Sequence, residues 1–488
     1  VPFFKAILHD AAPGSEGKLR SLKRGFFLGW LGGAMFFGIT FYWIPLLPGE
    51  NVTVPFLMFP AYLVMIAYLA LYLGLFGALL RLTYIHLTRK VVFLAPVLWL
   101  CAELLRARGA LGFPWASLGY SLWSYPSLIQ VASFGSIYFV SLMIVVINAL
   151  LYDWLARNTR IVIAVPAVLG VFLLMLVPGV VAVRSNPPVR ELTVGLVQPN
   201  MSSEVKWNPR FRKHNLDVLL YLTGRIAEKK PDLIIWPETA APFHIRYEPD
   251  YMDLLTSTVD RVRVPVLLGF PDAIPQENDE LVYFNSAGLV MPGKGMIKKY
   301  DKIHLVPFGE RIPYDNIFPF LKKLDFGQAN FGVGEERTVF QLNGEKFSVL
   351  ICFESIFPEL VRSFKLEGAD FLVNITNDEW FGRSAAPFQH AIMAVFRAVE
   401  TRSSIARCAN TGISMLIDPW GRVTLKSGLF TREDLVGKIK LTSTETFFTR
   451  HGFLLLWPFV GIGVVEVVVA LGRGSKTVKS ERERGRAA

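Results

Sequence analysis

Four stretches of this chain carry no charge. Residues 26–48, 55–80, 127–152 and 161–183 contain no Asp, Glu, Lys or Arg, and each has at least 23 residues. A helix needs roughly 20 apolar residues to cross the hydrocarbon core of a bilayer. Two further apolar runs carry a single acid each, Glu103 in residues 91–106 and Glu466 in residues 452–471. The expectation is a six-span helical membrane bundle. The opening "VPFFKAIL" resembles the end of another apolar segment, so one or two further spans are expected before residue 1.

Residues 190–450 are different. Charges, prolines and glycines return and the apolar runs shorten to strand length. About 260 residues suffice for one large globular domain. The division expected is a membrane bundle over 1–189, a globular domain over 190–450, a last span over 451–472 and a basic tail over 473–488. Mean hydropathy of +0.39 reflects this mixture.

Basic residues set the orientation, because cytoplasmic loops are enriched in Lys and Arg. "KLRSLKR" (18–24), "RLTYIHLTRK" (81–90), "RNTR" (157–160) and the tail from 473 fall on one side if every run crosses once. The domain 190–450 then lies outside the cytoplasm. Arg106 and Arg108 conflict with that sidedness, and pairing with Glu103 or snorkelling to headgroups would reconcile them. The net charge of +11 owes much to the loops and tail.

Within the domain, strand-like runs alternate with helical stretches, which predicts an α/β fold. Strands are expected at 191–200, 233–236, 264–272, 283–290, 347–354 and, with a polar end, 370–382, helices near 209–229 and 387–402, and a hairpin at 412–423. Three of the ends carry chemistry. Glu238 follows "LIIWP", Lys302 stands in "KYDKIHLVPFGE", and Cys352 ends the run "FSVLIC". A thiol is a weak nucleophile until it loses its proton. A carboxylate can take that proton, and an ammonium can stabilise first the thiolate and then an oxyanion. The backbone N–H of Phe353 is a second candidate oxyanion donor. Other readings stay open: a Cys–His pair using His304 or His390, and a Cys352–Cys408 disulfide in an oxidising compartment. The sequence contains no G-x-S-x-G, H-E-x-x-H, C-x-x-C or P-loop string, and the reading calls for no metal and no cofactor.

The strings "WPE", "KIHLVPFGE" and "CFE" around these three residues resemble the nitrilase superfamily. With the apolar spans, "GFPWASLGYS" (112–121), "VQPN" (197–200), "KWNP" (206–209), "NDEWFG" (377–382) and "RCANTGIS" (407–414), the chain resembles the apolipoprotein N-acyltransferase family. The resemblance implies an αββα sandwich on a membrane bundle, in a bacterial inner membrane and facing the periplasm. It implies an acyl chain passed from a phospholipid, typically phosphatidylethanolamine, to the catalytic cysteine, then to the amine of a diacylglyceryl apolipoprotein. Glu238 would be the general base, Lys302 the charge stabiliser and Cys352 the nucleophile. Glu310 would orient Lys302 or the incoming amine, Glu354 would support the site, and Trp207 and Trp380 would line the substrate pocket. Phe353 has no hydroxyl, so none is assigned a role there. Nucleic acid is not an expected partner. Two other functions remain compatible with these residues: a membrane-tethered amidase that gives its acyl group to water, and a non-enzymatic membrane binding protein.

Overall fold

A computed structural model of the chain describes residues 1–11, 17–47, 58–87, 91–157, 160–184, 190–275, 281–315, 317–318, 320 and 330–484. The loop 48–53, parts of the basic segments 81–90, 157–160 and 473–486, and most of the aromatic segment 314–326 lie outside the described residues or their described side chains.

The chain divides into two units, one helical and one spanning Val183–Gly452. The helical unit contains α1 (Pro2–Leu8), α2 (Lys18–Thr40), α3 (Met58–His86), α4 (Val91–Arg106), α5 (Pro126–Ile129), α6 (Ala132–Arg157) and α7 (Ile161–Arg184). After the second unit the chain returns to it. Among the described residues, five helical segments are long and apolar enough to span a membrane: Lys18–Leu46, Met58–His86, Ala132–Ala156, Ile161–Arg184 and Leu454–Arg473. The sixth expected run instead forms α4, of 16 residues with Pro96 inside. At 1.5 Å per residue such a helix is about 24 Å long, short of the hydrocarbon core.

Helices α2 and α3 pack through small residues. A Cβ on Gly25 would collide with the carbonyl of Gly77, and one on Gly29 with that of Leu73. Close backbone approach of this kind drives helix association where no hydrophobic gain remains. Glu103 and Arg106 do not snorkel. Both are buried, and both hold the loop after α4: Glu103 Oε1 accepts from the Leu118 amide at 3.0 Å, and Arg106 donates to the Phe113 and Trp115 carbonyls and to Ser117 Oγ. Arg108 lies over the Trp457 ring.

The second unit holds helices α8 (Ser203–Lys206), α9 (Arg212–Ala227), α10 (Pro249–Val262), α11 (Pro358–Leu366), α12 (Ala386–Thr401) and α13 (Phe447–His451), and α14 (Trp457–Arg484) then follows in the helical unit. Its strands are β1 (Arg190–Gln198), β2 (Leu233–Ile235), β3 (Val266–Pro275), β4 (Leu281–Met291), β5 (Gly295–Asp301), β6 (Val339–Leu342), β7 (Glu345–Ile351), β8 (Phe371–Thr376), β9 (Ile405–Ala409), β10 (Met415–Ile417), β11 (Val423–Lys426) and β12 (Glu433–Leu441). They form two six-stranded sheets, in the orders β12-β1-β2-β3-β4-β5 and β11-β10-β9-β8-β7-β6.

The two sheets face each other through β1 with β9, β4 with β7 and β10 with β12. Helices α9 and α10 cover the first sheet, and α12, flanked by α11, covers the second. This is the expected αββα sandwich. Strands β1–β2–β3 and β7–β8–β9 run parallel, which places the ends of β2, β7 and β8 on matching edges. Ligands bind at that edge in parallel α/β sheets.

Candidate active site

Glu238 stands just past β2. Trp236 before it is fully buried, with its indole N–H on Thr223 Oγ1 at 2.9 Å. Pro237 ends the strand, and Thr239 adopts a left-handed φ of 45°. The turn lies so close to β3 that a Cβ on Gly269 would come within 2.8 Å of the Glu238 Cα. The buried carboxylate is aimed by two donors. Oε1 accepts from Asn285 Nδ2 at 2.8 Å and Oε2 from the Asn377 amide at 2.7 Å.

Lys302 follows β5 and is almost wholly buried. Its Nζ lies 2.9 Å from Glu310 and 3.9 Å from Glu238 Oε1. Burial works against its charge, but Glu310 and Glu238 outweigh burial and hold the ammonium well above the ordinary lysine range. Glu310 also accepts from Asn285 Nδ2 at 3.0 Å and, through Oε2, from the Val306 amide at 2.8 Å. Glu310 therefore fixes Lys302, and Asn285 bridges the two carboxylates so that both face one cation.

Cys352 follows β7 directly. It is a non-glycine residue at φ 52°, which costs on the order of 1–3 kcal/mol and persists only where its surroundings impose it. They do so here. The Cys352 carbonyl accepts from Ser355 Oγ at 3.0 Å and lies 3.1 Å from His390 Nε2. Behind His390 stands a buried network: Asp378 Oδ1 is 2.8 Å from His390 Nδ1, and Arg407 Nη2 donates to Asp378 Oδ2 at 2.7 Å.

Glu354 completes the elbow and also joins it to the lysine. Oε2 accepts from the Ile351 amide at 2.7 Å. Oε1 accepts from the Ile303 and His304 amides at 2.8 and 3.1 Å and from the Tyr300 hydroxyl at 2.7 Å. One fully buried side chain thus ties the backbone beside Lys302 to the backbone beside Cys352. Burial pushes its carboxyl above the usual range, and the Ile351 amide, the Lys302 charge, the Tyr300 hydroxyl and the His304 amide oppose that.

Burial and the Glu238 carboxylate push the Cys352 thiol up, while Lys302 pulls it down. The carboxylate and the ammonium thus act on this sulfur in opposite senses. All three cysteines are free, including Cys352 and Cys408.

The remaining expected residues fall around this centre. The Phe353 ring packs edge-on against Phe357 at 5.2 Å. Trp207, at the end of α8, and Trp380, in the turn Asp378–Phe381, are both substantially exposed. Their segments are joined by the Ser203 amide, which donates to Glu379. The Cys–His alternative takes a different form here: His390 serves the Cys352 carbonyl, while His304 stacks on Phe357 at 3.8 Å and is pushed down to about 4, first by burial and then by Lys302.

Sequence reasoning missed Asn285, Lys206 and the Asp378–Arg407 pair. Asp378 and Arg407 lie inside "NDEWFG" and "RCANTGIS", so those strings carried the signal without the role. Asn285 in β4 and Lys206 before Trp207 had only their neighbourhood to mark them.

These features define a class: a carbon–nitrogen hydrolase sandwich with a strand-end cysteine, in one chain with a helical bundle of membrane-spanning composition. Residues 193–447 match the carbon-nitrogen hydrolase family, and residues 12–150 match the apolipoprotein N-acyltransferase N-terminal domain. The chain is 35% identical over 463 residues to apolipoprotein N-acyltransferase of Geobacter metallireducens, covering 93% of this chain and 88% of that one. It is 31% identical to the enzyme of the same name from Thermotoga maritima, over 90% and 84% of the two chains. For that of Chlorobaculum tepidum the identity is 32%, over 78% of each. The chain belongs to the apolipoprotein N-acyltransferase family.

Proposed function

We propose that this protein transfers an acyl chain from a phospholipid to the N-terminal amine of a diacylglyceryl apolipoprotein through a thioester on Cys352. The observation that carries the reading is the convergence of Glu238 and Lys302, 3.9 Å apart, as the charges acting on a half-buried strand-end thiol. Glu238 takes the Sγ proton as sulfur attacks the ester carbonyl of the lipid. Lys302 and the Phe353 N–H stabilise the tetrahedral oxyanion. The intermediate collapses with loss of the lysophospholipid alkoxide, which recovers the proton from Glu238. The apolipoprotein amine then attacks the thioester, Glu238 takes its proton, the C–S bond breaks and the thiolate is reprotonated. Glu310 holds Lys302, Glu354 holds both backbones, and Trp207 and Trp380 line the substrate approach. Phosphatidylethanolamine is the donor this reading favours.

The domain 190–450 faces the periplasm in this reading, with 1–189 and 451–472 in the inner membrane and 473–488 cytoplasmic. That requires α4, with the loop it holds through Arg106, to bring the chain across. Reporter fusions after residue 183 and near residue 88 test it, and exposure on the same side at both would overturn the orientation.

The chemistry is tested by intact and peptide mass spectrometry after incubation with phospholipid. A fatty-acyl mass on the Cys352 peptide is expected, removed by hydroxylamine and discharged by a diacylglyceryl peptide. Rapid loss to water with no amine present would make the protein an amidase-type hydrolase instead. A label on another residue would overturn the site.

A further inference from the structure

Lys206 is the second buried lysine of this site, and nothing in the chemistry above uses it. It ends α8 and is only 2% exposed. Its Nζ donates to the Glu238 carbonyl at 3.2 Å and to Thr239 Oγ1 at 2.6 Å. The Trp207 ring centroid lies 5.7 Å from Nζ. Its two hydrogen-bond partners are thus a neutral carbonyl and a hydroxyl, at the turn where Thr239 takes its left-handed conformation. A buried ammonium is costly unless opposite charge lies near. The charges that favour this one are Glu238 past β2, Glu379 in the turn Asp378–Phe381 and Cys352 at the elbow.

We infer that Lys206 is a positioning residue for acyl-enzyme formation: its ammonium clamps the Glu238–Thr239 turn and so holds the Glu238 carboxylate in place for Cys352. The inference rests on the reading of Cys352 as the acylated residue. It also separates the two lysines. Lys302 is held charged by its carboxylates, whereas burial pulls Lys206 down to about 8 in spite of Glu238, Glu379 and Cys352. The charged form of Lys206 is present below that pH and lost above it. Acyl-enzyme formation is therefore expected to fall as pH rises through about 8, while Lys302 stays protonated.

The test is single-turnover acylation of the full-length protein by phosphatidylethanolamine in mixed micelles from pH 6 to 9.5, with iodoacetamide alkylation of Cys352 as a lipid-independent readout. Lys206→Gln is expected to slow both about tenfold at pH 7, as loss of the charge-assisted hydrogen bonds that clamp the turn implies, and to remove the alkaline fall. Lys206→Arg keeps a charge that does not titrate in this range, so it should move the fall beyond pH 9.5 and retain a rate within about tenfold of the parent. Each variant tests the prediction alone if the other does not fold. An alkaline fall near pH 8 that persists unmoved in either variant overturns the inference, as do parental rates in Lys206→Gln. Cys352→Ala run alongside separates the failures: acyl label persisting in that variant would remove the active-site reading itself.

Discussion

Cys352 and Cys408 lie in the same sheet, one residue apart in register. Ile351 pairs with Ile375, and Ile375 pairs with Cys408, so Cys408 occupies the rung immediately before Cys352, two strands away. Burial pushes both thiols upward. Their partners differ. Cys408 sits within β9 and its Sγ donates to the Val197 and Ile235 carbonyls at 3.3 and 3.2 Å. Those acceptors satisfy a thiol and give a thiolate nothing. Cys352 stands one step beyond the last strand residue, in a conformation held by His390, Ser355 and Glu354, with Glu238 and Lys302 acting on the sulfur. Cys408 is buried and Cys352 half-buried, yet burial pushes both thiols up, so burial cannot be what makes a nucleophile. A strand end with a base and a cation is the difference.

The sharpest break between the two is deletion of each sulfur. Cys352→Ala should leave no detectable acyl-enzyme, a fall of at least about 10,000-fold, as for loss of a nucleophile acting as part of a unit. Intact-mass detection of the acylated protein measures it. Next come the charges. Glu238→Gln and Lys302→Met should each slow acylation about 100- to 1,000-fold, the scale for losing one charge-stabilising group. Lys302→Arg should not restore it, because a planar guanidinium cannot replace a compact ammonium between Glu310 and Glu238. Stopped-time acylation under single turnover separates these from the parent. Normal acylation in Lys302→Met would reduce Cys352 to another buried thiol.

Much of this contrast was legible in the chain. "LIIWPE" and "FSVLICFE" each read as an apolar strand stopped by a turn, so Glu238 and Cys352 could be placed at strand ends from periodicity. That Glu310 belongs with Lys302 followed from the resemblance, and the structure gives the physical reason at 2.9 Å. The supports were not legible in the same way. Asn285 reaches Glu238 across 47 residues, and His390 reaches the Cys352 carbonyl across 38. Pairings so distant in sequence depend on the strand order, which local pattern does not contain. The packing of the run 91–106 was hidden for a related reason. Its apolarity does not say which neighbours it meets, and helix packing satisfies much of it: Leu94, Ala95, Leu98 and Leu100 are all buried within the bundle.

The network behind Cys352 allows a pH test that Cys408 should not share. Burial would raise the Asp378 carboxyl, but Arg407 and His390 outweigh it and hold it down at about 2. A carboxyl depressed in the fold contributes stability that is present above its unfolded value, near 4, and is lost as pH falls toward 2. Acid unfolding of the parent, followed by far-ultraviolet circular dichroism in detergent, should therefore steepen across that window. Asp378→Asn should lose this contribution, showing lower stability at pH 7 and a flatter acid profile. It should also slow acylation, since His390 and the Cys352 carbonyl lose their anchor. An unchanged acid profile in Asp378→Asn would mean that the elbow is held without this network.

The smallest expected effect falls on the other thiol. Cys408 is fully buried, and a buried free cysteine behaves as a small hydrophobe with a weak S–H donor. Cys408→Ala removes one sulfur and two long contacts to carbonyls that already belong to β1 and β2. The loss of that packing should cost about 1 kcal/mol, in the range of ordinary core truncations. For a domain of this size that lowers the apparent melting temperature by about 2–4 °C. Acylation of Cys352 should stay within about twofold of the parent, since the sulfur of Cys408 supplies neither charge nor proton to the site. The measurement pairs a thermal melt with single-turnover acylation on the same preparation. Loss of acyl-enzyme without loss of melting temperature would break the comparison, because it would give Cys408 a chemical part that its two carbonyl partners do not explain.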